Sequence, residues 1–295
     1  MSTTSKTVLV TAGFGNQARS VIPRLNQAGY RVRAMRSANR PGPGPKDLGA
    51  HEVVIGDAAN PEDAFTALQG VQAVYHVGPT FHPLEKAMGF NMIEQALKAG
   101  VEHFIFSSVL HPILTGLPQH AIKRDIEERL IQSSLNFTIL QPSDYMQMTA
   151  LSVVPDHNLY MMAYENDNLE ALVDLEDVAE VLVKVLREGP IHFGATYELT
   201  SDENLRKGDI VKRLTEAFGR PFVLQKYPAS FEHRPDIFGD VDDAHARHQM
   251  ETLKQVHAWY DRYDFIGNGN VLRLLLGRNP TSFTEFARRH FGIGT

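Results

Sequence analysis

Strand-length apolar runs alternate with helix-length amphipathic stretches throughout the first half of the chain, and this alternation restricts the fold more than any other feature. The runs are Thr7 to Thr11 (TVLVT), Tyr30 to Met35 (YRVRAM), Glu52 to Ile55 (EVVI), Ala73 to Val77 (AVYHV), His103 to Ser107 (HFIFS) and Asn136 to Leu140 (NFTIL). Between them lie helix patterns over Gln17 to Ala28, where Val21, Ile22 and Leu25 recur at helical spacing, from Asp63 to Leu68, and over Ala87 to Ala99 and Ala121 to Gln132. Strand and helix in this rhythm require parallel strands joined by crossover helices on both faces. The expected architecture is α/β, a doubly wound parallel sheet whose ligand site lies at the carboxyl ends of the strands.

After Pro142 the rhythm weakens. Asp177 to Arg187 reads as a helix with Asp174 or Glu176 at its start, Tyr197 to Leu199 as one more strand, and Lys207 to Phe218 and Val241 to Tyr260 as helices. The sheet is therefore expected over residues 1–142, with 171–199 returning to it, while 143–170 and 200–295 build a smaller, mainly helical lobe over the strand ends. The Pro- and Gly-rich stretch Arg36 to Gly49 is a surface loop. At 295 residues and 43% apolar the chain can bury a large core. A formal charge of −6 offers no basic face to nucleic acid or to an anionic membrane. The absence of cysteine rules out disulfides, thiolate metal sites and thiol nucleophiles. No stretch approaches the roughly 18 apolar residues of a spanning helix, and Met1 to Lys6 is short and polar, so a soluble, cytoplasmic protein is expected. Asn136-Phe137-Thr138 matches a glycosylation triplet but sits inside a strand pattern.

The first strand runs directly into TAGFGNQAR, Thr11 to Arg19, and then into a helix. A strand, a glycine turn and a helix start place unpaired N–H groups and the helix dipole at one point, which suits a pyrophosphate. Either Ala12-x-x-Gly15-x-x-Ala18 or Gly13-x-Gly15-x-x-Ala18 gives the register; if residue 12 needs positive φ, its alanine costs on the order of 1 kcal/mol. The alternative is a glycine turn that binds nothing. Arg36 ends the second strand where an acid would hold a free ribose 2′-hydroxyl, with Arg33 and Arg40 nearby; as a phosphate grip it selects NADP(H), and otherwise it is a solvated arginine. Asp57 is either a partner for an adenine edge or a turn residue.

These segments resemble the NmrA-like branch of the atypical short-chain dehydrogenases/reductases. The likeness is carried by VTAGFGNQA (Val10 to Ala18), AMR (Ala34 to Arg36), GDAANPEDAFTALQGVQAVYHVGPT (Gly56 to Thr80), NMIEQALKAGVEHFIFSSV (Asn91 to Val109), HAIKRDIEERLIQSSLNFTILQPSDYMQ (His120 to Gln147), VDLEDVAEVLVKVL (Val173 to Leu186) and LLGRNPTSFTEFARRHF (Leu275 to Phe291). It implies a Rossmann domain for NADP(H), a substrate lobe, and membership among either reductases of quinones, dyes and aromatic carbonyl compounds or redox-sensing regulators without turnover. Family loops read VTGATG-x-x-G, so Ala12 and Ala18 replace both end glycines.

Short-chain reductases pair a tyrosine with a lysine four residues on, so that the cation lowers the phenol pKa. Lys123 is present, but Gln119 occupies the tyrosine's place and Val109 that of the serine. His120 stands beside that slot, and His76 and His111 follow the fourth and fifth strands; each is either a proton donor near pH 7 or a polar rim residue. Lys123 and His120 are thus the catalytic candidates, Lys123 serving chiefly to bond the cofactor ribose. Ala12, Gly13, Phe14, Gly15, Asn16, Gln17, Arg36, Asp57, Ala58, Val77, Gly78, Pro79, Lys123 and Pro142 are the cofactor-binding candidates, and Thr80, His111 and Tyr145 those of the acceptor pocket. No metal is expected, since His245 and His248 share a helix face without a third ligand. The sequence supports an NADP(H)-dependent oxidoreductase acting on a small aromatic, quinone-like or carbonyl acceptor, a non-catalytic NADP(H) sensor with a protein partner, or an isomerase that uses the cofactor transiently.

Overall fold

The computed structural model describes residues 6–37, 44–162, 167–226 and 244–294; Arg40 and the side chain of His245 fall outside this set. Six strands, β1 (Thr7–Val10), β2 (Arg31–Arg36), β3 (Glu52–Ile55), β4 (Ala73–Val77), β5 (His103–Ser107) and β6 (Phe137–Pro142), are joined later in the chain by β11 (Ala195–Leu199). They form one sheet in the order β11-β6-β5-β4-β1-β2-β3, and every neighbouring pair is parallel. The order reverses at β1 and β4, which opens a crevice at their carboxyl ends.

The pleat of β1 shows how the sequence builds both layers. Val8 and Val10 pack into a core beneath α1 (Asn16–Gln27) and α6 (Leu175–Glu188), whereas Leu9 enters the opposite core beneath α2 (Pro61–Leu68), α3 (Glu85–Ala99) and α4 (Pro118–Ile131). Asn60 caps α2 by accepting from the Glu62 amide at 2.9 Å, and Asp174 caps α6 by accepting from that of Glu176 at 3.1 Å. Helix α4 begins at Pro118, three residues earlier than its apolar periodicity indicates, because proline is favoured in the first turn. That early start places Gln119 and His120 on the helix, facing inward.

Whereas α9 (Asn270–Leu276) packs back on α6 and β11, most of the remaining described residues build a lobe that includes α5 (Met146–Ala150), α7 (Lys207–Phe218), α8 (Ala244–Tyr260) and α10 (Phe283–His290). It also contains two three-stranded sheets. In one, β10 (Glu170–Val173) lies between β7 (Asp144–Tyr145) and β12 (Asn204–Leu205); in the other, β9 (Leu159–Met162) lies between β8 (Val153–Val154) and β13 (Val223–Lys226). These strands are mostly two to four residues long, too short for an alternating pattern to mark them in the sequence. The closing segment GRNPTSF (Gly277 to Phe283) anchors the lobe to α6: Arg278 reaches the carboxylates of Asp177 at 2.7 Å and Glu180 at 2.8 Å, and Thr281 bonds Asp177 through both its amide and its hydroxyl.

Candidate functional site

Loop geometry at the end of β1 is set by close backbone approach. Thr11 Oγ1 accepts from the Val77 amide at 2.7 Å and donates to the Val77 carbonyl at 2.9 Å, tying the loop to β4. Ala12 then adopts φ +48°, the left-handed conformation that alanine enters at a cost. The Gly13 amide bonds the Met35 carbonyl at 2.9 Å, and a Cβ on Gly13 would lie 2.8 Å from that of Ala34. Glycine is therefore required at 13, whereas 12 tolerates alanine. Gly15 is the N-cap of α1 and supplies no side chain, and the first turn carries no acid. The helix N-terminus keeps its amide dipoles for an anion. Ala18 is buried where the helix meets the sheet, as a small residue must be.

Around this loop the parallel register gathers the expected residues along one edge. Arg36, half-buried at the end of β2, has no hydrogen-bond or ion-pair partner for its guanidinium among the described residues. Arg33 is committed elsewhere, to Glu52 at 2.6 Å and to the Ala67 and Gln69 carbonyls at 3.0 and 2.7 Å. Asp57 lies in an exposed turn, its Oδ1 accepting from the Ala59 amide at 2.8 Å, and the Ala58 carbonyl is held by Asn91 at 2.8 Å. Gly78 follows β4 with room for no Cβ, since one would lie 2.7 Å from Glu85 Oε1; Pro79 is half-buried and Thr80 exposed. Phe14 is half-buried, Asn16 is exposed with its amide on Met148 Sδ, and Pro142 is buried.

The two catalytic candidates are both buried. Lys123 Nζ lies 2.8 Å from the wholly buried Glu85 carboxylate and 3.3 Å from the Ser107 carbonyl. Its charge is thus already countered within the protein. His120 is not the polar rim residue that the sequence offers as one of its two readings. It is 1% exposed, its Nδ1 is 3.0 Å from the His111 carbonyl, and burial first, then the nearby charges of His111 and Lys123, push its pKa down to about 4. It is neutral at pH 7. His76 is likewise buried, in β4, with Nδ1 bonded to Thr11 Oγ1 and its pKa lowered to about 3 chiefly by burial. Only His111 of the three stays on the rim, with φ +55° and Nε2 on the Ile266 carbonyl at 2.8 Å.

Three further residues join the site: Tyr75 and Ser107, which the sequence marks only as strand residues, and Glu85, which opens α3 two residues before the helix pattern begins. Tyr75 Oη donates to Gln17 Oε1 at 2.5 Å and Ser107 Oγ to the same oxygen at 3.1 Å, so the Gln17 amide is oriented and its Nε2 donates to Tyr145 Oη at 2.8 Å. A separate buried apolar cluster contains Leu110, Leu117, Tyr260 and Phe265, with Phe81 packed against it. Among the described residues no group of acids and histidines is placed to hold a metal, and no helix is long and apolar enough to cross a membrane.

A family model described as the NmrA-like family matches residues 4–287. The chain belongs to the NmrA-like family. Among solved structures it is similar to NmrA, a negative transcriptional regulator in complex with NADP, with TM-score 0.75, 21% identity and coverage of 98% of this chain and 96% of that one. It is also similar to an NADPH-dependent quinone oxidoreductase from Escherichia coli, with TM-score 0.74, 21% identity and coverage of 96% and 99%. At such identities the likeness establishes the NmrA-like fold. The photosystem II assembly factor Ycf39 of Trieres chinensis is 25% identical over 232 residues, 75% of this chain and 72% of that protein.

Proposed function

We propose that this NmrA-like chain binds NADP(H) and is an oxidoreductase that passes hydride to a small aromatic, quinone-like or carbonyl acceptor. The observation that supports the cofactor is the Arg36 guanidinium at the end of β2, without a partner among the described residues, on the same sheet edge as the N-terminus of α1, which no side chain caps. The helix start suits the pyrophosphate and Arg36 the 2′-phosphate, while Gly78, Pro79 and Pro142 flank the crevice. Bound there, the reduced nicotinamide supplies a hydride. The chain would contribute alignment of the acceptor with the nicotinamide. Lys123, committed to Glu85, and His120, neutral and buried, are not proton sources, which favours electrophilic acceptors able to take a proton from water.

The second reading is a non-catalytic NADP(H) sensor that signals to a protein partner. It is favoured by the same Glu85–Lys123 pair and by Gln119 in place of a tyrosine. Monitoring NADPH absorbance with a panel of quinones and electrophilic aromatic carbonyls separates the two. Acceptor-dependent consumption supports the reductase; binding of both redox forms with different affinities and no consumption by any acceptor replaces it with the sensor.

A further inference from the structure

We propose that Tyr145 is the proton donor of the acceptor site, held for that task by the Gln17 amide. This rests on the reductase reading above and supplies the acid that Lys123 and His120 do not. Gln17 Oε1 receives two hydroxyls, from Tyr75 at 2.5 Å and from Ser107 at 3.1 Å, so its Nε2 must face Tyr145 Oη, 2.8 Å away. The phenol oxygen of Tyr145 is consequently an acceptor in that bond, and its own hydrogen is left for the neighbouring Ser107 hydroxyl or for an acceptor oxygen. An amide N–H aimed at a phenol oxygen also stabilises the phenolate that proton donation leaves behind.

Position supports the role. Tyr145 is half-buried, on β7 just past the carboxyl end of β6, and its hydroxyl meets the first turn of α1, the ends of β4 and β5 lying on the other side of the cluster. Tyr75, by contrast, is wholly buried and serves to orient the amide. Burial, first, and the neighbouring Tyr75 hold the Tyr145 phenol above its ordinary range, so it keeps its proton at neutral pH. The step balances with a reduced nicotinamide dinucleotide as reductant. As hydride adds to the acceptor carbon, the C–O π bond opens, the Tyr145 O–H bond breaks, and its proton joins the acceptor oxygen to give an alcohol; water then reprotonates the phenolate.

Tyr145→Phe keeps the ring and removes only the hydroxyl. Three measurements test it, after thermal melting has shown the variant folded. NADPH affinity, read by fluorescence, is expected to stay within about threefold of wild type. Affinity of the NADP⁺-loaded protein for hydroquinone, a hydroxylated product-type probe, is expected to fall about tenfold. Turnover of an electron-poor aromatic aldehyde is expected to fall about a hundredfold or more, the usual contribution of a positioned acid, whereas that of para-benzoquinone changes less than about fivefold. Wild-type behaviour of the variant towards both hydroquinone and the aldehyde overturns the assignment while leaving the reductase reading intact. Failure of the wild type itself to consume NADPH with any acceptor overturns the reductase reading, and the proton step with it.

Discussion

At the scale of single residues, the site is decided by which charges already have partners. Arg33 is spent on Glu52 and two carbonyls, and Lys123 on Glu85, whereas Arg36 has no such partner among the described residues. Arg36→Ala is therefore expected to cost about 1.5–3 kcal/mol of NADPH binding, roughly ten- to a hundredfold, and to leave NADH binding nearly unchanged. Titrating both cofactors checks this; equal affinities in the wild type would refute a 2′-phosphate grip. The Glu85–Lys123 pair makes a different expectation. Removing one partner of a buried pair strands the other charge, so Lys123→Met is expected to destabilise by about 3–5 kcal/mol. Combining it with Glu85→Gln recovers much of that loss, because no unpaired charge remains. Urea denaturation of the single and double variants measures the difference, and equal losses would mean that Glu85 does not depend on Lys123.

Among the elements, the loop between β1 and α1 separates two glycine requirements that a motif treats alike. Position 12 needs only a positive φ, which alanine adopts under mild strain; position 13 needs the absence of a Cβ, because Ala34 would lie 2.8 Å away. Ala12→Gly is expected to change stability by no more than about 1 kcal/mol, relief of strain offsetting the greater freedom of the unfolded chain. Gly13→Ala is expected to cost about 1–3 kcal/mol through forced separation of the loop from β2. Thermal unfolding of the two variants tests the ranking, and a Gly13→Ala protein as stable as wild type would sink it. The sequence showed this loop clearly because strand, glycines and helix are contiguous. It did not show that α4 begins at Pro118, which carries His120 inward against Phe265, their ring centroids 5.9 Å apart.

For the whole molecule, buried histidines set the acid limit of stability. Burial, as the leading cause, lowers the pKa of His103 to about 4, of His120 to about 4 and of His76 to about 3, against an ordinary value of 6.5. Below pH 6.5 the unfolded chain binds protons that the folded chain refuses, so this stability is present above 6.5 and lost as pH falls towards 4. Asp144 acts in the opposite sense. Its pKa, raised to about 6 by burial, makes the folded chain hold a proton the unfolded one releases, which stabilises as pH falls from 6 to 3.8. Each tenfold change in a group's proton affinity between the folded and unfolded chain is worth about 1.4 kcal/mol. Three histidines outweigh one carboxyl, so a net loss on the order of a few kcal/mol is expected between pH 6.5 and 4. Denaturant midpoints at several pH values check the slope, which His103→Gln should reduce; a midpoint that rises steadily on acidification would contradict it.

The sequence by itself determined what depends on neighbours along the chain: the alternation that makes a parallel sheet, the polar start of α6 at Asp174 or Glu176, and the glycine turn after β1. Only the tertiary structure decided which polar and titratable groups meet one another. Glu85 and Lys123 are 38 positions apart by their numbers, and Gln17, Tyr75, Ser107 and Tyr145 come from four separate elements or loop ends; nothing local links their side chains. A side chain's charge and hydrogen-bond direction are set by whatever the folded chain brings to it, and the order of strands in the sheet, not the order of residues, makes that choice.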